Sequence, residues 1–205
     1  MNPKLLFPAA LLVAALACNT SKKNTGSAGT PSEPAPVALS SKPNYQPSPT
    51  RVADIIHTRL EVRPDWQNRW LYGQAIILVS PYLYPITELD LDARGMYISR
   101  VALYTAPGVM SPLDYTYIDN KILRIKLGQE FNKGDHFRVL IDYIAKPDEL
   151  SSVGGSAAIT SDKGLYFINP QGTVPNKPTQ IWTQGETQSN SVWFPTIDRP
   201  NEKIP

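Results

Sequence analysis

Hydrophobic and polar residues alternate along several segments of the chain after Arg51. A period of two places successive side chains on opposite faces of a β-strand, so one set in each segment is predicted to face a core. The stretch YGQAIILVSPYLY (72–84) is apolar enough to be covered on both faces. The predicted core-facing positions are Ile56, Thr58, Leu60 and Val62, then Leu89 and Leu91, then Leu123, Ile125 and Leu127, and finally Phe137, Val139, Ile141 and Tyr143.

Turn-forming residues separate these segments. The pairs Pro64-Asp65, Asp119-Asn120 and Gly154-Gly155 and the triplet Lys133-Gly134-Asp135 are typical of chain reversals. No amphipathic helix is indicated beyond the N-terminal region. Many short strands joined by turns predict an all-β fold, an antiparallel β-sandwich or saddle-like sheet pair, and about 150 residues suffice for one such core.

The N-terminal region has a different pattern. Residues 1–17 combine a basic start, MNPK, with an apolar run that is too short to span a bilayer, since a spanning helix needs about 20 apolar residues. Cys18, the sole cysteine, stands at the end of this run, which is similar to a bacterial lipoprotein signal, although Leu16 lies two rather than three positions before it. Residues 18–50 are rich in Ser, Thr and Pro and are predicted to form a disordered tether.

These features predict a cell-envelope protein that is lipid-anchored through Cys18, on the periplasmic side or at the outer-membrane surface. A buried or unpaired thiol in a simple secreted protein is the alternative. The folded part is predicted to occupy residues 51–205. The formal net charge of +2 is too small to indicate a nucleic-acid partner.

Four stretches carry a resemblance to a known family. They are HTRLEVRPDWQNRWLYGQAIILVSPYLYP, LIDYIAKPDEL, GGSAAITSDKGLYFINP and QIWTQGETQSNSVWFPTIDRPN. Together they resemble the N-terminal β domain of the zinc aminopeptidases of the aminopeptidase N family, in the lipoprotein form of Bacteroidetes-type bacteria. The resemblance spans nearly all of residues 54–201, and its most specific part is T-Q-x-E followed by Phe-Pro-x-x-Asp-x-Pro.

The resemblance implies roles for individual residues. Glu186 matches the glutamate that holds the free α-amino group of a peptide substrate, and Gln184 matches the glutamine that lines the pocket for the first side chain. Phe194, Pro195 and Asp198 match a structural element that braces this loop. An α-amine is largely cationic at neutral pH, and a carboxylate in a partly desolvated site would pair with it and restrict binding to chain ends.

Other residues near this loop have simpler interpretations. Trp182 and Trp193 are expected to be packing residues, and Asp198 is expected to be a turn or cap residue. The sequence also departs from the family pattern, because residues 190–192 are Asn-Ser-Val where a basic pair is common, and Arg199 stands where a glutamate is common. The departure weakens any expectation that salt bridges brace the loop.

The sequence contains no H-E-x-x-H motif, so its own residues provide no catalytic zinc site of this family's type. Its two histidines, His57 and His136, are far apart and are expected to be surface residues on strands. The chain is therefore expected to be inactive alone, with no catalytic residue and no metal ligand of its own. The β domain is expected to be C-terminally incomplete, with further strands and a zinc-binding catalytic domain following it.

Two functions remain open at this point. The first is the substrate-recognising N-terminal part of a membrane-anchored zinc metalloaminopeptidase, with a peptide bearing a free N-terminus, the catalytic domain and the membrane as partners. The alternative is a non-catalytic β-sandwich lipoprotein that acts as a binding or scaffold module.

Overall fold

The computed structural model describes residues 49–150, 163–186 and 188–202. The predicted signal segment 1–17, Cys18 and nearly all of the predicted tether lie outside these residues, as does the Gly154-Gly155 pair. Within the described residues, no helix is long and apolar enough to cross a membrane.

Ten β-strands and two single-turn 3₁₀ helices make up the described structure, which confirms the predicted all-β fold. The 3₁₀ helices are Pro147–Glu149 and Asn190–Val192. The strands are β1 (Ala53–Asp65), β2 (Trp70–Pro81), β3 (Ile86–Asp92), β4 (Met96–Ala106), β5 (Val109–Pro112), β6 (Tyr115–Ile118), β7 (Ile122–Phe131), β8 (Phe137–Ala145), β9 (Leu165–Ile168) and β10 (Gln180–Thr183).

The strands form three antiparallel sheets. One has five strands in the order β1-β2-β8-β4-β5, the second has three in the order β3-β7-β6, and the third is the β9-β10 hairpin. Side chains from all three sheets contribute to one apolar core, which includes Ile77, Leu91, Ile125, Ile141 and Leu165. The sheets thus bury their inner faces against one another, as the alternating pattern predicts.

Most of the predicted core-facing positions are confirmed. All four predicted positions of β8 are buried, and so are those of β3 and β7. Leu140, on the opposite face of β8, is also buried, because its cross-strand neighbours there are Ile76 and Ala102. The central strand is therefore covered on both faces at this point.

In β1 the predicted core-facing orientation is wrong for Ile56 and Val62. A β-bulge at Ile56 interrupts the pairing with β2, so that Ala53 and Ile55 face the core before it, whereas Thr58 and Leu60 are the partly buried positions after it. An extra residue reverses the alternation, which a strict period of two does not anticipate. Val62 is 47% exposed, and its partner across the strand pair, Gly73, offers no side chain to pack against.

Gly73 lies beneath the ring of Tyr143. A Cβ atom at Gly73 would lie 2.2 Å from Cζ of Tyr143, so the aromatic ring occupies the space that a side chain would need. The Tyr143 hydroxyl is buried without a hydrogen-bond partner among the described residues, and burial raises its pKa. The close packing of the Tyr143 ring on Gly73 holds β2 and β8 in position relative to each other at this paired position.

Two of the predicted turns are tight reversals built on positive φ angles. Asp119 and Asn120 adopt φ values of 49° and 55°, and the Lys121 amide donates to the Ile118 carbonyl at 2.9 Å. These are features of a type I′ turn, which suits the twist of a β-hairpin. Gly134, with φ of 95°, reverses the chain between β7 and β8.

Candidate functional site

The segment from Gln184 to Asp198 (the recognition loop) begins where the β9-β10 hairpin ends. β9 and β10 pair from Ile168 with Gln180 to Leu165 with Thr183. The Gln184 amide then donates to the Gly164 carbonyl at 2.9 Å, which extends the ladder by one more residue. The start of the recognition loop is therefore held by sheet hydrogen bonds.

Gly164 is required at its position for two reasons. Its φ of +65° lies in the left-handed region, and a Cβ atom there would lie 1.9 Å from the carbonyl oxygen of Ser189. Only glycine combines this backbone conformation with such a close approach of another backbone segment. The contact places the middle of the recognition loop directly against the start of β9.

Asp198 fixes the 3₁₀ helix inside the recognition loop. Its Oδ2 accepts a hydrogen bond of 2.8 Å from the Ser191 amide, and both residues are buried. The carboxylate thus acts as a cap supplied from outside the turn, and the expected bracing role of Asp198 agrees with this geometry. The partner is a backbone amide, as expected of a loop whose residues 190–192 carry no basic side chain.

The end of β3 provides a second support. The Asp92 amide donates to the Thr196 carbonyl at 2.7 Å, and the Thr196 amide donates to the Asp92 carbonyl at 3.0 Å. The Asp92 carboxylate also accepts from the Asp198 amide at 2.9 Å. One residue of β3 therefore satisfies two backbone groups of the recognition loop with its main chain and a third with its side chain.

Arg94, two residues further on, spans the loop. Its amide donates to the Ser191 carbonyl at 2.7 Å, its Nε donates to the Ser191 hydroxyl at 3.1 Å, and its guanidinium donates to the Gln188 carbonyl. Sequence reasoning missed Asp92, Arg94 and Gly164. The hydrogen bonds of Arg94 and Asp92 join residues about a hundred positions apart, and a single sequence carries no signal for such pairing.

Apolar packing completes the support of the loop. Val192, Pro195 and Thr196 are buried, and the rings of Trp193 and Phe194 meet edge to face with centroids 4.4 Å apart. Trp193 packs against the core, as expected. The expectation that Trp182 is a packing residue is wrong, because its side chain is 55% exposed.

The two predicted substrate-binding residues lie on this supported backbone but differ in exposure. Gln184 is partly buried, whereas Glu186 is exposed to solvent. The described residues therefore do not supply the partly desolvated surroundings that would strengthen a carboxylate–ammonium pair. His57 is exposed on β1, and His136 is exposed just before β8, so both are surface residues as predicted.

The described residues do not fit a zinc site. No group of three or more histidine, cysteine, aspartate or glutamate side chains among them is placed to hold a metal ion.

No protein-family model and no curated protein matches the chain. Several solved structures share its fold. The M1 zinc metallopeptidase from Deinococcus radiodurans has a TM-score of 0.57 at 16% identity over 74% of this chain and 30% of that chain. A mutant of the same organism's enzyme bound to a Tyr-Ser-Ala substrate has a TM-score of 0.51 at 18% identity, over 74% of this chain and 31% of that one.

Leukotriene A4 hydrolase from Saccharomyces cerevisiae has a TM-score of 0.55 at 16% identity, over 75% of this chain and 22% of that chain. The matched part of these structures is the N-terminal domain region of M1 zinc metallopeptidases. The chain has this domain's fold, which confirms the resemblance at the level of fold, and it spans less than a third of the length of the structures it matches.

The contact between Gly164 and Ser189 leads to a stability prediction. Gly164→Ala adds a Cβ to a left-handed residue and forces it into a backbone carbonyl, so it should destabilise the fold by about 3 kcal/mol or more. Gly172→Ala is a matched control, because Gly172 has nearly the same φ, +66°, but an added Cβ would meet only Thr179 Oγ1 at 3.6 Å.

The control should cost about 1–2 kcal/mol, the penalty for the backbone conformation alone. Urea unfolding of the two variants, followed by tryptophan fluorescence, measures the difference. Equal free energies of unfolding would show that the recognition loop does not rest on Gly164.

Proposed function

We propose that this β domain is the substrate-recognising N-terminal part of a zinc metalloaminopeptidase, in which Glu186 holds the free α-amino group of a peptide. The observation that carries the proposal is the construction of the recognition loop. Buried backbone hydrogen bonds hold its framework, while Glu186 is presented to solvent. Rigid support beneath an exposed charged residue is what a positioning site requires.

The chemistry of a carboxylate suits an N-terminal amine. The amine has a reference pKa of about 7.7–8.0, so it carries a positive charge at neutral pH, and an internal peptide segment offers no such cation. Glu186 would position the substrate, with no part in proton transfer. Gln184 lies two residues before Glu186, and its amide is hydrogen-bonded to the Gly164 carbonyl. It would contact the first side chain of the peptide.

The strength of this pair depends on what covers it. An exposed carboxylate–ammonium pair contributes only about 0.2–1 kcal/mol in water. Exclusion of water by a second domain would strengthen the same pair several-fold, because the effective dielectric constant falls. We therefore propose a catalytic domain as the partner that closes over Glu186 and that supplies the zinc.

Glu186→Gln should remove the preference of the chain for peptides with a free N-terminus. Titration of the ¹⁵N-labelled chain with Ala-Ala-Ala amide and its N-acetylated form, followed by NMR, should show about two- to fivefold tighter binding of the free peptide at pH 6. Because the amine loses its proton as the pH rises through about 8, the preference should vanish by about pH 9.5.

Glu130→Gln is the matched control, since it makes the same charge change on an exposed residue of β7. It should leave the preference unchanged. Equal binding of the free and acetylated peptides by the unmodified chain at pH 6 would contradict the role of Glu186.

Sequencing the native transcript through the Pro205 codon tests the enzymatic part of the proposal. We expect an in-frame H-E-x-x-H, followed by a glutamate ligand one helix later. A stop codon directly after Pro205 would exclude the enzyme interpretation for this chain and favour the non-catalytic binding or scaffold lipoprotein.

We also propose that the domain is lipid-anchored at the cell envelope through Cys18. The support is the position of the sole cysteine at the end of the N-terminal apolar run. Metabolic labelling with a radioactive fatty acid should mark the wild-type protein, and Cys18→Ser should lose the label. Equal labelling of the two proteins would refute this assignment.

A further inference from the structure

The outward face of the β9-β10 hairpin carries an aromatic pair. Tyr166 and Trp182 are directly opposed in the register, and their ring centroids lie 5.5 Å apart at an interplanar angle of 41°. The alternate residues Leu165, Phe167 and Ile181 point the other way and pack against the core. The aromatic pair therefore lies on the face of the hairpin that the core does not use.

Trp182 differs from the other tryptophans of the chain in its exposure. Trp66, Trp70 and Trp193 are each partly buried, whereas Trp182 is 55% exposed. Tryptophan combines a large apolar surface with one hydrogen-bond donor, and it is enriched, together with tyrosine and arginine, among the residues that contribute most to binding at protein interfaces. Core packing, the common reason for a tryptophan, does not explain this position.

The exposed ring continues into the recognition loop. Gln184 occupies the next position on the same face as Trp182, because the ladder extends to Gly164 and side chains alternate. Residues two apart on a strand are separated by about 6.6 Å, a distance that a long side chain can bridge. Trp182, Gln184 and Glu186 thus follow one another along a single supported backbone.

We propose that Trp182, backed by Tyr166, is a specificity residue that selects peptides whose first side chain is large and apolar or aromatic. The inference rests on the proposed function, in which Glu186 holds the amine and Gln184 lines the first side chain. A small first side chain would end beside Gln184, whereas a phenylalanine would extend beyond it to the indole ring. Aromatic pairs of this kind contribute about 0.5–1.5 kcal/mol beyond the area they bury.

The test compares Phe-Ala-Ala amide with Ala-Ala-Ala amide, each in free and N-acetylated form, in NMR titrations of the chain. The unmodified chain should bind the phenylalanine peptide about two- to tenfold more tightly. Its Trp182 indole N–H signal, assigned by its loss in Trp182→Phe, should move with that peptide and not with the alanine peptide.

Trp182→Ala should reduce the ratio of the two affinities to about one, and Trp182→Phe should restore much of it, because an aromatic face remains. Tyr84→Ala is the matched control, since Tyr84 is 76% exposed but lies between β2 and β3. Its ratio should equal that of the unmodified chain.

The outcomes separate this inference from the proposed function. If free peptides bind better than acetylated ones but Trp182→Ala keeps the preference for phenylalanine, the proposed role of Trp182 is refuted and that of Glu186 stands. If acetylated peptides bind as well as free ones, the proposed role of Glu186 is refuted. If neither peptide binds, both assignments fail.

Discussion

The recognition loop depends on the pairing of Asp92, at the end of β3, with Thr196 and Asp198. The two main-chain hydrogen bonds between Asp92 and Thr196 form a short antiparallel bridge, and the Asp92 carboxylate accepts a hydrogen bond from the Asp198 amide. The Asp198 carboxylate in turn accepts the Ser191 amide. A buried amide without a partner costs about 1–3 kcal/mol, so each of these carboxylates is needed where it stands.

This support separates two requirements of a recognition site. The framework of the loop is buried and hydrogen-bonded, which fixes its position relative to the three-stranded sheet. Glu186, the side chain that would contact a ligand, is exposed and is not part of this buried framework. The stability of the loop comes from backbone hydrogen bonds and from residues such as Gly164, and the exposed Glu186 carboxylate is not part of that support.

The exposure of Glu186 and Trp182 has a common physical meaning in the proposed function. Charge pairing and aromatic contact are both weak in open water and both gain when water is excluded. In that proposed function, Glu186 and Trp182 would form one side of a binding site, and a second surface facing them would exclude water from the bound peptide. The solved structures that share this fold are much longer than the region matched by this chain.

The alternation of apolar and polar residues determined the all-β class and most core positions in β3, β7 and β8, because side chains on a regular strand must alternate between its two faces. Turn chemistry likewise located the reversal at Asp119 and Asn120, whose residue types tolerate positive φ. These are local properties, so a single sequence carries them.

Only the tertiary structure decided where the alternation of a strand is interrupted and which residues far apart in the chain contact one another. The bulge at Ile56 reversed the inward face of β1, and no local pattern marks an extra residue in a strand. The exposure of Trp182 depends on which face of a two-stranded hairpin meets the core. Asp92 and Arg94 hydrogen-bond to residues about a hundred positions away, and Gly164 lies against the Ser189 backbone only after the sheet has formed. Such contacts depend on proximity in space and not along the chain, so a single sequence does not reveal them.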